Sequence, residues 1–258
     1  MREAPRPIKL LLAAMVAAVA VVLAVAVQTG GAYAAPRIVG GTPASTAQYG
    51  YAVFLTDRNG FQFCGGTLVT HLRVVTAAHC VAGEKPVNVL VVAGRDDKKS
   101  SAGVVDTVAR IWVNPDFTDV EAGSDVAVLT LAGRVDYPTA TIAADQAVYQ
   151  PGAPSTILGW GRTSEGGPTS RRLLAATVPV VADADCSLAY QHFSAASMVC
   201  AGYRQGGVDA CQGDSGGPMV IGSVLVGIAS WGDGCARPGK FGVYTRVASY
   251  ANLIADHL

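Results

Sequence analysis

Ten residues from Asp209 to Pro218, Asp-Ala-Cys-Gln-Gly-Asp-Ser-Gly-Gly-Pro, hold two carboxylates, a cysteine, one serine and three glycines. A hydroxyl between glycines can be approached closely, because no neighbouring side chain shields it. Glycine also leaves backbone N–H groups free to turn toward a bound oxygen. Ser215 is therefore half of an acyl-transfer site. The missing half is a base, since a serine hydroxyl barely ionises at neutral pH. By composition alone the stretch reads equally well as a surface turn, so its partners decide. Four histidines follow the N-terminal region: His71, His79, His192 and His257. His79 ends the apolar run Val74-Val75-Thr76-Ala77-Ala78 and precedes Cys80, where a disulfide would hold its backbone. That flank makes it the best base. Asp125 heads a second apolar run, Val126-Ala127-Val128-Leu129. A buried carboxylate without a partner is costly, and a histidine N–H is a natural one. An isolated aspartate at a strand start more commonly bonds its own backbone.

A rival arrangement uses the same serine. Gly213-Asp214-Ser215-Gly216-Gly217 also fits the G-x-S-x-G elbow, and Asp233 and His257 supply its order of serine, acid, histidine. That elbow needs a strand before it and a helix after it, and Gly216-Gly217-Pro218 opens a helix poorly. Only 43 residues follow Ser215, too few for the remaining strands and helices of such a sheet.

The elements that must position these groups are short strands. Residues 51–55, 67–69, 74–76, 87–92, 104–113 and 126–131 are rich in Val, Ile, Thr and aromatics and are bounded by turn residues. A second set covers residues 155–159, 173–181, 218–221, 224–231 and 242–247. Residues 144–154 form the linker between the sets. Residues 182–190 suit a short helix with Asp183 or Asp185 in its first turn. In residues 247–258, Val247, Tyr250, Ala251 and Ile254 share one helical face. Many short strands and a lone C-terminal helix point to an all-β barrel or sandwich protein.

The chain has 258 residues, 50% of them hydrophobic and 15% charged, enough for one domain or two small ones. A formal net charge of zero points to neither nucleic acid nor an anionic membrane as partner. Arg2, Arg6 and Lys9 precede an unbroken apolar run of 18 residues, 10–27, and small residues follow it up to Ala34. This reads as a secretory signal over residues 1–34; an uncleaved anchor is the minority alternative. Export gives the six cysteines an oxidising setting and implies disulfides, with fifteen pairings open by spacing alone. No C-x-x-C pair supports a zinc site. Arg37 before Ile38-Val39-Gly40-Gly41 looks like a processing site.

Taken together, Ile38-Val39-Gly40-Gly41, Thr76-Ala77-Ala78-His79-Cys80, Ser124-Asp125-Val126-Ala127, Gly213-Asp214-Ser215-Gly216-Gly217-Pro218 and Ser230-Trp231-Gly232 resemble the secreted trypsins of the chymotrypsin family. The matches span the whole chain beyond Arg37, in the family's order of His, Asp, Ser. The resemblance implies two six-stranded antiparallel β-barrels, residues 48–144 and 155–246, with a C-terminal helix at 247–258, all within one protease domain of residues 38–258. It implies Ser215 as nucleophile, His79 as general base and acid, Asp125 as its orienting carboxylate, and the N–H groups of Gly213 and Ser215 as the oxyanion hole. Ser230, Trp231 and Gly232 would line the substrate backbone. Asp209 would sit at the base of the primary pocket and pair with Arg or Lys, between walls opened by Gly232 and Gly242. Residues 35–37 would be a short propeptide, and the freed amine of Ile38 would pair with Asp214. Since Arg37 is itself such a cleavage site, self-activation is an expectation. The implied disulfides are Cys64–Cys80, Cys186–Cys200 and Cys211–Cys235.

Calcium-binding relatives place acids in the loop matching residues 94–103. Here that loop reads Asp96-Asp97-Lys98-Lys99, with as many cations as anions, which does not support a metal; Glu165 remains as an acid for a different site. No cofactor is expected. Arg171-Arg172 is a candidate autolysis point. Four of the 19 basic and one of the 19 acidic residues precede Ile38, leaving 15 and 18, so the processed enzyme would be mildly acidic. The implied partners are protein or peptide substrates with Arg or Lys at the cleavage site, and protein protease inhibitors. The implied state is a secreted, extracellular monomer with no stable membrane association. A catalytically silent binding protein is the competing class; such relatives lose a triad member or the activation terminus, and none is lost here.

Overall fold

The computed structural model describes residues 38–258. The expected signal (1–34), the propeptide (35–37) and Arg37 lie outside the described residues. The architecture is all-β with short helices. In chain order the strands of the first half are β1 (Thr42–Pro43), β2 (Ala52–Thr56), β3 (Gln62–Thr70), β4 (Arg73–Thr76), β5 (Leu90–Ala93), β6 (Val104–Val113) and β7 (Ala127–Leu131). Those of the second half are β8 (Thr141–Ile142), β9 (Pro154–Gly159), β10 (Leu174–Pro179), β11 (Met198–Ala201), β12 (Pro218–Ile221), β13 (Val224–Trp231) and β14 (Gly242–Arg246).

Strands β2, β3, β4, β7, β6 and β5 close a barrel in that order. Their β-branched residues fit a pleated, half-buried surface, and β2 is buried at every position. A single-bridge closure completes the second set. β10, β9, β12, β13, β14 and β11 pair in sequence. The ends then meet where Val180 bridges Ala201, with Val181 N–H donating to Cys200 O at 2.9 Å and Gly202 N–H to Pro179 O at 3.0 Å. β1 and β8 are additions, on β10 and β13 respectively. One apolar core cluster runs through both halves. Phe54 of β2 meets Trp160, just after β9, edge to face at 4.9 Å.

The strand expected over residues 67–69 is longer, Gln62–Thr70, and two other boundaries differ from the sequence reading for local reasons. The strand expected over residues 87–92 starts only at Leu90, because Pro86 opens a 3₁₀ turn at Pro86–Asn88. The C-terminal helix is shorter than 247–258: Val247–Tyr250 is 3₁₀ and Ala251–Ala255 is α, with Val247 and Ile254 fully buried. The short helix Asp183–Ala189 falls where residues 182–190 suggested one. Three disulfides staple the fold, Cys64–Cys80, Cys186–Cys200 and Cys211–Cys235, with sequence separations of 16, 14 and 24. On the loop-entropy account each is worth about 3 kcal/mol.

Candidate active site

His79 lies in the four-residue helix Ala78–Val81 that follows β4, next to the Cys64–Cys80 bridge. Asp125 precedes β7. β4 and β7 pair antiparallel with Thr76 opposite Ala127, so the two residues beyond those ends come together. Asp125 is 1% exposed. Its Oδ1 accepts from the His79 backbone N–H at 2.8 Å, and its Oδ2 lies 2.7 Å from His79 Nδ1. A carboxylate can only accept, so Nδ1 carries the ring proton and the neutral imidazole presents Nε2 as a base. Ser230 Oγ donates to the same Oδ2 at 2.6 Å, and Thr245 Oγ1 donates to the Asp125 backbone carbonyl at 2.7 Å. Ser124 sits at φ +58 and donates its N–H to Tyr250 Oη. Asp125 is thus gripped from β13 and β14, and its neighbour Ser124 from the C-terminal turn.

Ser215 borders a cleft of about 220 Å³ shared with Asp209, Gln212, Ser230, Gly242 and Tyr244, among others. That is below the 300–1,000 Å³ of pockets that take whole small molecules, and it suits one long side chain. No hydrogen bond from Ser215 Oγ is present among the described residues; such contacts often tighten only when substrate binds. Around the serine, the N–H groups of Cys211, Asp214, Gly216 and Gly217 all find acceptors, whereas among the described residues those of Gln212, Gly213 and Ser215 have none. Gly213 stands at φ +94, a conformation glycine adopts readily.

Asp209 lies at the cleft floor, 5% exposed. Its Oδ2 accepts from Ala236 N–H at 2.9 Å, and its Oδ1 has no partner. Of the five buried side-chain polar atoms without a partner among the described residues, three line this one cleft: Asp209 Oδ1, Trp231 Nε1 and Tyr244 Oη. Buried polar groups are normally satisfied, so their concentration marks a place for a polar ligand. Burial pushes the Asp209 carboxyl up to about 7, against the Ala236 and Ala210 amides, which favour its charge. A Cβ on Gly242 would fall 2.6 Å from Asp209 Oδ1, while one on Gly232 would meet nothing closer than 3.6 Å. A methyl at Gly242 would therefore crowd the Asp209 carboxylate at the cleft floor, whereas one at Gly232 would find room.

Asp214 is buried, accepting from Gly161 N–H at 2.7 Å and Cys211 N–H at 3.0 Å. Burial raises it to about 6; those two amides and the charge of Lys98 pull the other way. Among the described residues no cation pairs with it directly. Ile38 is fully buried at φ +34, an unusual backbone for a β-branched residue. Val39 bridges Asp209 through the Asp209 N–H at 3.1 Å. Gly40 stands at φ +75, and a Cβ there would fall 2.5 Å from Gly207 O, so only glycine fits this close approach.

The rival set is not brought together. His257 stacks on Trp112 at 4.2 Å, and Asp233 pairs with Arg237 and Lys240. The acids considered for a metal are also engaged. Asp96 accepts from Ser45 Oγ, Thr46 N–H and Thr46 Oγ1, Asp97 pairs with Arg171, and Glu165 pairs with Arg237. Arg171 has an exposed side chain, but its carbonyl accepts from Lys98 N–H at 2.9 Å, tying the candidate autolysis bond to that loop.

A family model described as trypsin matches residues 38–254. The chain belongs to the trypsin family. It is 49% identical over 222 residues to a trypsin of Saccharopolyspora erythraea, covering 86% of this chain and 98% of that one. It is 40% identical over 252 residues to a trypsin-like protease of Streptomyces glaucescens, covering 94% and 91%. It is 39% identical over 234 residues to trypsin eta of Drosophila erecta, covering 86% and 90%. As a trypsin-family protein it is a serine endopeptidase acting on protein substrates. Ser230 and Thr245 hold Asp125 in this trypsin-family site. The sequence reading had Ser230 only along the substrate and did not identify Thr245; its strand position gave no sign of a contact 120 residues away.

Proposed function

We propose that the protein is a secreted endopeptidase that hydrolyses peptide bonds after Arg or Lys and is made as a zymogen cleaved after Arg37. The observation that carries the specificity is the unpartnered Asp209 Oδ1 at the floor of the cleft bordered by Ser215. A substrate guanidinium or ammonium there satisfies that oxygen, whereas an apolar side chain leaves a buried charge unpaired. Ser215 Oγ attacks the scissile carbonyl carbon while His79 Nε2 takes its proton. Asp125 holds Nδ1–H and stabilises the imidazolium. The carbonyl oxygen becomes an oxyanion and accepts from the N–H groups of Gly213 and Ser215. His79 then protonates the departing amine, and water attacks the acyl-enzyme by the reverse sequence. Nucleophile, base, acid and oxyanion donors all come from the chain, so the reading needs no cofactor.

Activation follows from the two buried residues Ile38 and Asp214. Cleavage after Arg37 creates an α-ammonium at Ile38, and pairing with Asp214 supplies the direct cation that carboxylate lacks. The signs are definite. Pairing lowers Asp214 from about 6 and raises the amine above its ordinary value of about 8. The ordering therefore persists at neutral pH and is lost as pH rises through the raised amine value.

Arg37→Gln should stay uncleaved and turn over an Arg-ending peptide at least about 10²-fold more slowly than protein beginning at Ile38, as expected when oxyanion donors are misplaced. N-terminal sequencing and peptide kinetics check this; full activity in uncleaved Arg37→Gln contradicts the zymogen reading. Ser215→Ala secreted alone should retain residues 35–37 if activation is autocatalytic, and complete maturation of that variant would assign the step to another protease.

A further inference from the structure

Gly213 has no side chain to fix its conformation, so neighbours must orient the peptide groups on either side of it. The preceding group is held by Arg162 N–H, which donates to Gln212 O at 2.8 Å. The following group is held from the first barrel: Gln62 Nε2 donates to Gly213 O at 2.8 Å. Gln62 opens β3, and three residues further on Gly65 N–H donates to Ser215 O at 2.7 Å. One strand thus grips the loop on both sides of Asp214. Any sequence supplies the backbone bond; the other needs the glutamine amide.

That amide is fixed in turn by Lys98. Its Nζ donates to Gln62 Oε1 at 2.6 Å, to Trp160 O at 3.3 Å and to Thr169 Oγ1 at 3.3 Å. An ammonium has three donors and no acceptor, and here it meets three acceptors. Lys98 can only face the amide oxygen of Gln62, and Gly213 O can only face the amide nitrogen, so both neighbours demand one orientation. Burial pushes Lys98 down to about 8, opposed by the negative charge of Asp214. The adjacent Asp97 is occupied by Arg171.

We propose that Gln62 and Lys98 are positioning residues for catalysis: Lys98 fixes the Gln62 amide, and the Gln62 amide fixes the Gly213–Asp214 peptide group, restricting rotation at the glycine whose own N–H is an oxyanion donor. The inference rests on the reading of Ser215 as nucleophile and Gly213 N–H as an oxyanion donor. It gives the loop at residues 94–103 a role in this chain, as the source of an internal cation serving the second barrel's catalytic loop.

The test uses processed protein beginning at Ile38 and two inhibitors. A peptide aldehyde ending in arginine adds to Ser215 Oγ: a C–O bond forms, the carbonyl pair becomes an alkoxide facing the two N–H groups, and the serine proton passes to His79. Benzamidine, an amidinium, needs only the Asp209 pocket. Gln62→Leu should lower kcat about tenfold, in the range expected for misplacing rather than deleting a catalytic group. Aldehyde binding should weaken by a similar factor, while KM and benzamidine inhibition stay within about twofold. Lys98→Met should show a smaller loss of the same kind, and no further loss in the Gln62→Leu background. Equal weakening of aldehyde and benzamidine overturns the positioning role, and additive losses overturn the link between the two residues. An active wild type matched by Gln62→Leu overturns this inference alone. A wild type that neither hydrolyses the peptide nor binds the aldehyde overturns the Ser215 reading and this inference with it.

Discussion

Ser215→Ala should lower kcat on an Arg-ending peptide by about 10⁶-fold and leave peptide binding nearly unchanged. The size is general to serine-protease triads, where the nucleophile and base act as one unit. Without Oγ there is no acyl-enzyme, and His79 has no serine proton to take. The cleft, its Asp209 floor and the free amide N–H groups of Gly213 and Ser215 are untouched by the loss of one hydroxyl. Binding should therefore survive, and the residual rate should remain about 10³–10⁴ above water. His79→Ala should cost about as much, and the double variant little more. Asp125→Asn acts differently. It keeps the shape but offers an N–H where Oδ2 now accepts from both His79 Nδ1 and Ser230 Oγ, so the imidazole adopts the wrong tautomer and kcat should fall about 10⁴-fold.

Asp209→Ser should cost about 10⁴-fold in kcat/KM on peptides ending in Arg or Lys, because the proposed pairing of the substrate cation with the Asp209 carboxylate is lost. Cleavage after Phe should gain relative to both. A pH signature accompanies the loss. In the empty pocket burial holds Asp209 near 7, so below that pH a substrate cation must displace a proton before pairing. On Arg peptides kcat/KM, which reports the free enzyme, should fall as pH drops through about 7 with a contribution from this group, and kcat should lack that contribution. Asp209→Ser should remove the difference. Stability carries the opposite sign. The folded value lies above the unfolded value of about 3.9, so the native state holds the extra proton between them and stability falls as pH rises from about 4 to about 7. Thermal unfolding of Asp209→Ser should show a flatter profile and a higher Tm at pH 8 than wild type.

The residues of the candidate site were legible because they sit in short local motifs. Gly213-Asp214-Ser215-Gly216-Gly217 and Ala77-Ala78-His79-Cys80 each span no more than five residues. Asp125 was legible as an acid at the head of an apolar strand. What supports them was not legible, because it is assembled across the chain. Gln62 reaches Gly213 over 151 residues, Ser124 reaches Tyr250 over 126, and Ser230 reaches Asp125 over 105. No periodicity announces such contacts. Lys98 was visible only as a charge that argued against calcium, since sequence cannot show an ammonium turning inward. Among the strands, β1, β8 and β11 escaped notice, as did residues 62–66 of β3: Met198-Val199-Cys200-Ala201 is four residues long and lacks alternation, although all four are buried. The Pro86 turn displaced the start of β5 by ending extended backbone that its valines alone would favour.

The central claim is that Ser215 and the Asp209 pocket act together. It is tested most directly by hydrolysis of matched chromogenic peptides ending in Arg, Lys or Phe, with processed protein beginning at Ile38 and Ser215→Ala as control. Arg and Lys peptides should be cleaved at least about 10³-fold better than the Phe peptide, on the scale set by leaving a buried charge unpaired, and the control should cleave none measurably. Preferential cleavage after Phe, or unchanged cleavage by Ser215→Ala, would contradict it.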